Sequence, residues 1–368
     1  MLVALIPVVA DDLDTTVGLV AAAITAYMVP FATLQLVSGT IAERLGGRRV
    51  VRAGYVAFGA AAIASAFAPN IEFFIASRAV MGAANAFLSP ILLAALSEAV
   101  APAVLGRSVG TFAAVQVAGL TLAPVLGGAL GEITWRLAFV LVAAVSLGLA
   151  LFPPSAGRRS DPDARPSASL RSLLNRWIAL VATTALAGYL GFTAIGFVVA
   201  LVVAQEFGLG SAASGLVVAC YGVGGIVLGR FGGIAADRSG RPLTALAGSV
   251  ACTAGVLALA FVPTVWGIAF VYFAIGCASA FVWAGLNTIA VESFPENRAG
   301  AVSAYSAFKF VGVAIAPLVY VPLFEDDTRL PFVVAAGFSL LVVALVTPWL
   351  SRYRVGTPEM SEPRSMID

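Results

Sequence analysis

Apolar runs recur along almost the whole chain, separated by short polar stretches. Many of them approach about 20 residues, the length at which an α-helix crosses the hydrocarbon core of a bilayer. Hydrophobic residues make up 60% of the 368 residues and charged residues 11%, whereas a soluble domain carries roughly 25% charged residues. The backbone of such a chain must satisfy its own hydrogen bonds, which leaves helix bundles or closed barrels. Uninterrupted runs such as 137–152 lack the alternation of a transmembrane strand, so we expect helices.

We predict twelve membrane segments and therefore an all-α membrane protein. They lie near 1–10, 17–42, 50–68, 73–97, 109–130, 137–153, 177–204, 213–236, 243–261, 265–292, 300–323 and 330–350. The first is about half the length that a bilayer requires and would place the N-terminal ammonium near mid-membrane, which is costly. We therefore expect helix 1 to be truncated by roughly seventeen residues, a gap that the internal repeat indicates.

The two halves of the chain repeat at an offset of 193 or 194 residues. A polar hinge after the second segment returns after the eighth, so that Gly39, Glu43, Arg44 and Gly46 map onto Gly233, Asp237, Arg238 and Gly240. Gly119-x-x-x-Ala123-Pro124 likewise returns as Gly312-x-x-x-Ala316-Pro317. We predict two pseudo-symmetric six-helix bundles with a substrate path between them. Residues 1–154 and 177–350 would form the bundles, 155–176 the linker and 351–368 the tail.

The distribution of charge predicts the orientation in the membrane. Arginines are concentrated in the hinges on one side, in the linker and in the tail, whereas the opposite hinges are mainly acidic. The arginine-rich side is expected to be cytoplasmic, with the linker and C-terminus. The chain has no His, its three Cys lie in apolar runs, and it contains no G-x-x-x-x-G-K-[ST] motif. We expect no cofactor, metal site, nucleic-acid partner or enzymatic activity, and a monomer in the cell membrane.

The hinge pattern, Gly-x-x-x-acid-Arg-x-Gly-x-basic, resembles the loop 2–3 signature of the major facilitator superfamily of transporters. The resemblance implies that each hinge acid faces the N-terminus of a helix in the other half and holds a cytoplasmic gate shut. Glu43 stands where the family favours Asp. The alternative is a tight turn with positive charge that sets topology. The gate motif comprises Gly39, Glu43, Arg44, Gly46, Arg48, Arg49, Gly233, Asp237, Arg238, Gly240 and Arg241, with Glu98 and Glu292 as expected partners of Arg44, Arg107 or Arg298.

Two further patterns resemble parts of this family. Arg78-x-x-x-Gly82 resembles its helix-4 pattern, which implies a role for Arg78 in proton coupling; a snorkelling or structural arginine is the alternative. The fifth segment resembles the antiporter pattern G-x-x-x-G-P-x-x-G-G, with Ala123 in place of one glycine. Such a small-residue face, with its proline, can pack tightly on the eighth segment or bend during rocking; packing without directional meaning is the alternative. The residues concerned are Gly119, Pro124, Gly127 and Gly128.

Polar residues within the apolar segments are candidates for the substrate path. Lys309, the only lysine in the chain, lies two to three turns into the eleventh segment, where it could bind an anion, pair with an acid or snorkel to the surface. The other candidates could equally form interhelical hydrogen bonds. The predicted path residues are Gln35, Asn85, Gln116, Tyr221, Asn287, Tyr305 and Lys309.

The sequence therefore predicts a secondary transporter that lies in the lipid bilayer and works by alternating access. Its expected partners are a small-molecule substrate and protons. The patterns of the fourth and fifth segments most resemble the twelve-helix drug:proton antiporter branch, which implies proton-coupled efflux. An uptake symporter or uniporter for an anionic or neutral metabolite is the first alternative, because Arg78 and Lys309 are positive and no acid lies mid-span. A non-transporting receptor or scaffold is the second, although the longest polar stretch is only the linker.

Overall fold

The computed structural model describes residues 1–153, 176–292 and 298–355, and every regular element within them is helical. The predicted all-α class is therefore confirmed, while nearly all of the predicted linker and tail lies outside the described residues. After a 3-10 turn, Leu2–Leu5, the helices are α1 Ile6–Asp12, α2 Val17–Leu45, α3 Gly47–Ala66, α4 Ile71–Asn85, α5 Leu88–Ala99, α6 Pro102–Gly131, α7 Trp135–Leu151, α8 Arg176–Gly188, α9 Gly196–Gln205, α10 Ser211–Ser239, α11 Arg241–Leu259, α12 Val265–Glu292, α13 Arg298–Asp326 and α14 Leu330–Val355.

Within these ranges, nine helical stretches are long and apolar enough to cross a membrane. Two of them each combine neighbouring helices, in Ile71–Leu93 and Arg176–Gln205. The helices α1 and α7 are shorter, and α3 carries three arginines near its start, Arg48, Arg49 and Arg52. The bundle therefore agrees with a multi-pass membrane protein.

The internal repeat is visible in the backbone at the two hinges. The helices α2 and α10 are both 29 residues long, and both of their ends are offset by 194 residues. Each is followed at once by the next helix through a single glycine, Gly46 with a φ of 88° and Gly240 with a φ of 89°. A side chain is strained at such φ values, so glycine permits this tight reversal at both hinges.

Two predicted segments are interrupted. The fourth is divided into α4 and α5 around Ala86 and Phe87. Pro90 lacks the N–H that would bond to the Ala86 carbonyl, and its ring crowds that carbonyl. Its counterpart in the unbroken α12 is Ala284. The seventh segment contains a π-helical turn, Tyr189–Thr193, where the Tyr320 hydroxyl donates to the Leu190 carbonyl at 2.6 Å.

Most helix packing lies within each half of the chain, and two helix pairs provide the main contacts between the halves, α6 with α10 and α2 with α13. The first crossing is close because it is formed by glycines. A side-chain carbon on Gly215 would lie 2.9 Å from the carbonyl carbon of Pro124. Opposite Gly128, the Ser211 hydroxyl donates to the Gly128 carbonyl at 2.8 Å. In the second crossing, the Thr25 hydroxyl donates to the Ala314 carbonyl at 2.6 Å.

A carboxylate from one half caps a helix of the other half. Glu132 follows the last residue of α6, and its Oε1 accepts hydrogen bonds from the Ala212 backbone N–H at 2.9 Å and the Ser211 hydroxyl at 3.2 Å. These residues form the first turn of α10, where unpaired N–H groups and the helix dipole favour a negative charge. Glu132 thus joins the halves at the side opposite the hinges, which we call the far face.

The halves separate toward the side that carries Gly46 and Gly240, which we call the hinge face. On α10, the row that packs on α6 continues at Ile226, Gly229 and Gly233. Ile226 is 50% exposed, and a side-chain carbon at either glycine would have no neighbour within 4 Å. On α6, the matching row continues at Val117, which is 42% exposed. Along the described part of this crossing, the molecule is closed at the far face and open at the hinge face.

Replacing Gly215 by Val tests the glycine crossing. The added atoms would meet the Pro124 backbone, and overpacking of this kind costs roughly 1–3 kcal/mol. We expect a lower melting temperature for the purified protein in nanodiscs, by a few degrees. Gly229→Val is the matched control, since it makes the same change in α10 where a side chain has room. Equal melting temperatures for the two variants would contradict a close crossing.

Candidate functional site

Tyr27, Arg78 and Asn85 form one polar group in the first half, which we call the Arg78 cluster. The Arg78 guanidinium carbon lies 4.6 Å from the centroid of the Tyr27 ring, and the Asn85 amide donates to the Tyr27 hydroxyl at 2.7 Å. Gly82 permits this arrangement, because a side-chain carbon there would lie 2.7 Å from the Tyr27 carbonyl carbon. The Arg78-x-x-x-Gly82 pattern therefore brings α4 onto α2 one turn away from the guanidinium.

The positive charge of Arg78 is held mainly by aromatic rings. Its guanidinium carbon also lies 5.7 Å from the centroid of Phe139, and its Nη1 lies 3.5 Å from the Met81 sulfur. The buried Nε has no hydrogen-bond acceptor, and no carboxylate pairs with Arg78, among the described residues. A guanidinium in apolar surroundings is costly, and among the described residues only rings and the Met81 sulfur stabilise this one.

A second cation in the other half has similar surroundings. The Lys309 ammonium donates to the Asn287 side-chain oxygen at 3.1 Å and lies 4.0 Å from the Tyr305 ring centroid and 5.1 Å from that of Trp283. We call these four residues the Lys309 cluster. The Tyr305 hydroxyl is buried and has no hydrogen-bond partner in the described part of the chain. Three of the predicted path residues, Asn287, Tyr305 and Lys309, are thus brought together.

An aromatic contact between the halves connects the two clusters. Phe31 of α2 packs edge-on against Phe310 of α13, with ring centroids 4.6 Å apart, and its ring lies 6.2 Å from that of Tyr27. Phe310 follows Lys309 directly in the chain. Gln35 lies one helical turn beyond Phe31 toward the hinge face, and its buried side-chain oxygen has no partner among the described residues.

Tyr221 occupies in the second half the position that Tyr27 occupies in the first, at an offset of 194 residues. Gly276, the counterpart of Gly82, packs closely against the Tyr221 backbone. A side-chain carbon on Gly276 would lie 2.7 Å from the Tyr221 carbonyl carbon. The counterpart of Arg78 is Tyr272, whose ring lies 5.3 Å from that of Tyr221. The Tyr221 hydroxyl bonds to that of Thr193 at 3.1 Å. At the position of Arg78, the duplicated frame therefore carries a cation in the first half and an aromatic ring in the second.

The other predicted residues of the fifth segment separate into two groups. Pro124 and Gly128 lie in the crossing with α10, and Gly127 lies against Met1. Gly119 is exposed, and a side-chain carbon there would have no neighbour within 4 Å. Gln116 is also exposed. In this conformation, neither Gly119 nor Gln116 joins the two clusters.

The gate residues lie at the hinge face. Asp237 is exposed and makes no hydrogen bond or ion pair with any described residue, while the Glu43 side chain and Gly39 lie outside what is described in side-chain detail. Arg241 pairs with Glu292 at 3.0 Å, which ties the hinge after α10 to the end of α12 within the second half. The expected partners of Glu292 were Arg44, Arg107 or Arg298, and its pairing with Arg241 was not predicted. The remaining arginines of the hinges are exposed, namely Arg44, Arg48, Arg49 and Arg238. A side-chain carbon added at Gly233 would have no neighbour within 4 Å.

Several contributing residues were not predicted. Tyr27 carried a usable signal, since it repeats as Tyr221, and Trp283 lies one helical turn before Asn287. The sequence carried no signal for the contact of Phe31 with Phe310 or of Glu132 with α10, because both contacts depend on how the two halves are placed relative to each other. Among the described residues, no group of Cys, Asp and Glu side chains could hold a metal ion.

The sequence matches the profile of the Major Facilitator Superfamily twice, over residues 1–189 and 181–365. It is 32% identical over 159 residues to the Multidrug resistance protein B homolog of Mycobacterium tuberculosis (strain CDC 1551 / Oshkosh), which covers 41% of this chain and 29% of that protein. It is 29% identical over 164 residues to the Multidrug efflux pump LfrA of Mycolicibacterium smegmatis, covering 44% of this chain and 32% of the pump. This chain thus matches about a third of the length of these two relatives.

A longer match has lower identity. The Uncharacterized MFS-type transporter YceJ of Bacillus subtilis (strain 168) is 23% identical over 355 residues, which covers 93% of this chain and 88% of that protein. The two profile matches together span nearly the whole sequence and divide it close to where the internal repeat divides it. The chain therefore belongs to the Major Facilitator Superfamily.

Proposed function

We propose that this protein exports a small organic molecule by alternating access, in exchange for protons. The observation that carries the proposal is the separation of the two halves at the hinge face while they remain joined at the far face. Between them, the Phe31–Phe310 contact connects two clusters that each hold a cation without a carboxylate partner among the described residues. A path of this kind can open to one side at a time if the halves rock about their contact.

The hinge face would be cytoplasmic, because exposed arginines are concentrated there. Arg44, Arg48 and Arg49 surround the first hinge and Arg238 the second. The conformation described here would then be inward-facing. Residues 1–154 and 177–350 would move as the two bodies, with the linker and tail on the cytoplasmic side and the protein working as a monomer.

In the outward-facing state, Glu43 and Asp237 would each cap the N-terminus of a helix in the other half, α13 and α6 respectively. A carboxylate at such a position contributes roughly 0.3–2 kcal/mol, depending on burial. We call these two capping carboxylates the latch. Asp237 is exposed in the present conformation, which agrees with a latch that is released from the other half. The arrangement at the far face is the reverse, since Glu132 caps α10 there while the far face is closed.

Efflux and proton exchange are supported by the relatives that are named as multidrug resistance or efflux proteins and by the glycine-rich α6. Arg78 does not release a proton readily itself. It would act by favouring the ionised form of an acid that approaches it, since a nearby positive charge stabilises a carboxylate. Loss of Arg78 should therefore affect proton coupling more than substrate binding.

This function is tested with the full chain in proteoliposomes that contain the pH-sensitive dye pyranine, with ethidium as the transported probe. We expect ethidium movement to be accompanied by opposite proton movement, and Arg78→Ala to abolish the proton signal while ethidium binding changes little. Arg230→Gln, which neutralises an exposed arginine on α10, is the matched control. Proton movement independent of substrate would exclude exchange, and equal loss of binding and proton signal in Arg78→Ala would indicate a structural arginine.

The latch is tested by Glu43→Gln and Asp237→Asn. Removing a carboxylate worth roughly 0.3–2 kcal/mol shifts the balance between conformations by about two- to thirtyfold, so ethidium counterflow should fall by a comparable factor. Glu72→Gln, which neutralises an exposed acid in the first turn of α4, should leave counterflow unchanged. Each variant's membrane abundance must equal that of wild type. Unchanged counterflow in both latch variants would exclude the gate.

Uptake of an anionic metabolite is the second candidate. It is favoured by the charge of the clusters, because both Arg78 and Lys309 are positive and neither pairs with a carboxylate among the described residues. The direction of net transport in the same proteoliposomes separates the two candidates.

A further inference from the structure

We propose that the Lys309 cluster binds the anionic group of an aromatic substrate, a carboxylate or sulfonate attached to a planar ring system. The proposal rests on the proposed transport function, because it names the chemical class of the molecule that occupies the path. It concerns a site in the second half of the chain and holds for either direction of transport.

The first argument is the unused hydrogen-bonding capacity of the cluster. An ammonium has three N–H donors, and among the described residues that of Lys309 makes one hydrogen bond, to Asn287. Tyr305 adds a buried hydroxyl without a partner in that same part of the chain. The aromatic rings of Trp283 and Tyr305 compensate part of the charge but provide no strong acceptor. Carboxylate or sulfonate oxygens would satisfy these donors and neutralise the charge.

The second argument is that the fold itself does not require these residues. The close crossings of the frame recur in both halves, as Gly82 on Tyr27 and Gly276 on Tyr221. The cluster does not recur: at the repeat offset, Lys309, Tyr305, Trp283 and Asn287 correspond to Gln116, Phe112, Ser89 and Leu93. Polar groups that are added to one copy of a duplicated frame, and left incompletely satisfied, are better explained by a ligand than by packing.

The third argument concerns the ring of the substrate. The Trp283 ring lies 5.0 Å from that of Tyr189 between centroids, and the fully buried Phe192 ring supports it from behind at 5.4 Å. Trp283 and Tyr189 are partly exposed and form an aromatic surface with the ammonium at one end. Asn287 is exposed and Lys309 is only partly buried, which leaves the polar end of this surface open to the path. A planar body would stack on the rings while its anionic group meets Lys309.

The test compares 2-naphthoate with 2-naphthamide, which has the same ring system but no charge, as ligands of the purified full chain in nanodiscs. Affinity is read from the ligand-induced change in melting temperature. We expect wild type to bind naphthoate about tenfold more tightly than naphthamide, since hydrogen bonds to charged groups contribute enough for such a ratio. Lys309→Gln should remove that difference, and Lys309→Arg should retain most of it.

Tyr305→Phe probes the cluster without removing its charge. It keeps the ring beneath the ammonium and deletes a hydroxyl that has no partner among the described residues, so the unliganded melting temperature should not fall. Naphthoate affinity should nevertheless fall several-fold, with naphthamide unaffected. Arg230→Gln is the control for loss of a cation from a membrane helix and should change neither affinity.

The proposal is overturned if naphthoate does not bind wild type at millimolar concentration, if both ligands bind equally, or if Lys309→Gln weakens both alike. Ethidium transport is measured in parallel with the same variants. Transport that persists while naphthoate discrimination is absent would reject the anion site and retain the transporter. Naphthoate discrimination that depends on Lys309, in a chain that moves neither ethidium nor naphthoate across proteoliposomes, would retain the site and reject the transporter.

Discussion

The close crossing of α6 and α10 is the contact on which the arrangement of the two halves depends. In a bilayer, apolar side chains gain little by leaving lipid for one another, so helices associate through close backbone approach and a few hydrogen bonds. Gly128 and Gly215 provide the approach, and Ser211 and Glu132 provide the hydrogen bonds. Because these contacts lie in the part of the crossing nearer the far face, and Gly222 against Thr121 extends them only to its middle, the halves are free to separate at the hinge face.

The chemistry of the path arises from differences between the two copies of a repeated frame. Both halves use a glycine to bring two helices together beside a tyrosine, but Arg78 stands in one and Tyr272 in the other. Lys309 likewise stands where the first half has Gln116. Duplication alone would give a symmetric bundle with no preference for a ligand. The two cations break this symmetry and place positive charge on either side of the contact between Phe31 and Phe310.

The frame could be predicted from the sequence because it depends on local patterns. Apolar length identified the helices, and the repeated hinge identified Gly46 and Gly240, which the structure places at matching positive φ values. The division of the fourth segment was readable in retrospect from Pro90. The π turn at Tyr189–Thr193 carried no local signal that distinguishes it from an ordinary buried helix.

Several residues of the path could be predicted from the sequence, but their contacts with one another could not. Polarity within apolar segments identified Asn287, Tyr305 and Lys309, yet their contact depends on how α12 and α13 are rotated about their axes. Glu132 is one of the acids in the hinges opposite the arginine-rich side, but its hydrogen bond to α10 depends on the register between the halves. Sequence patterns with periods of a few residues do not encode either quantity.

The central claim, that the halves rock about their contact and open to one face at a time, is tested most directly by electron–electron distances between paired spin labels. One pair replaces Val117 and Ile226 toward the hinge face and another replaces Ile133 and Leu209 at the far face, all exposed positions, in a chain with its three native cysteines changed to alanine. When the pH is changed and substrate is added, the first distance should become shorter and the second longer under the same new conditions. Distances that stay fixed, or that change in the same direction, would contradict alternating access in this protein.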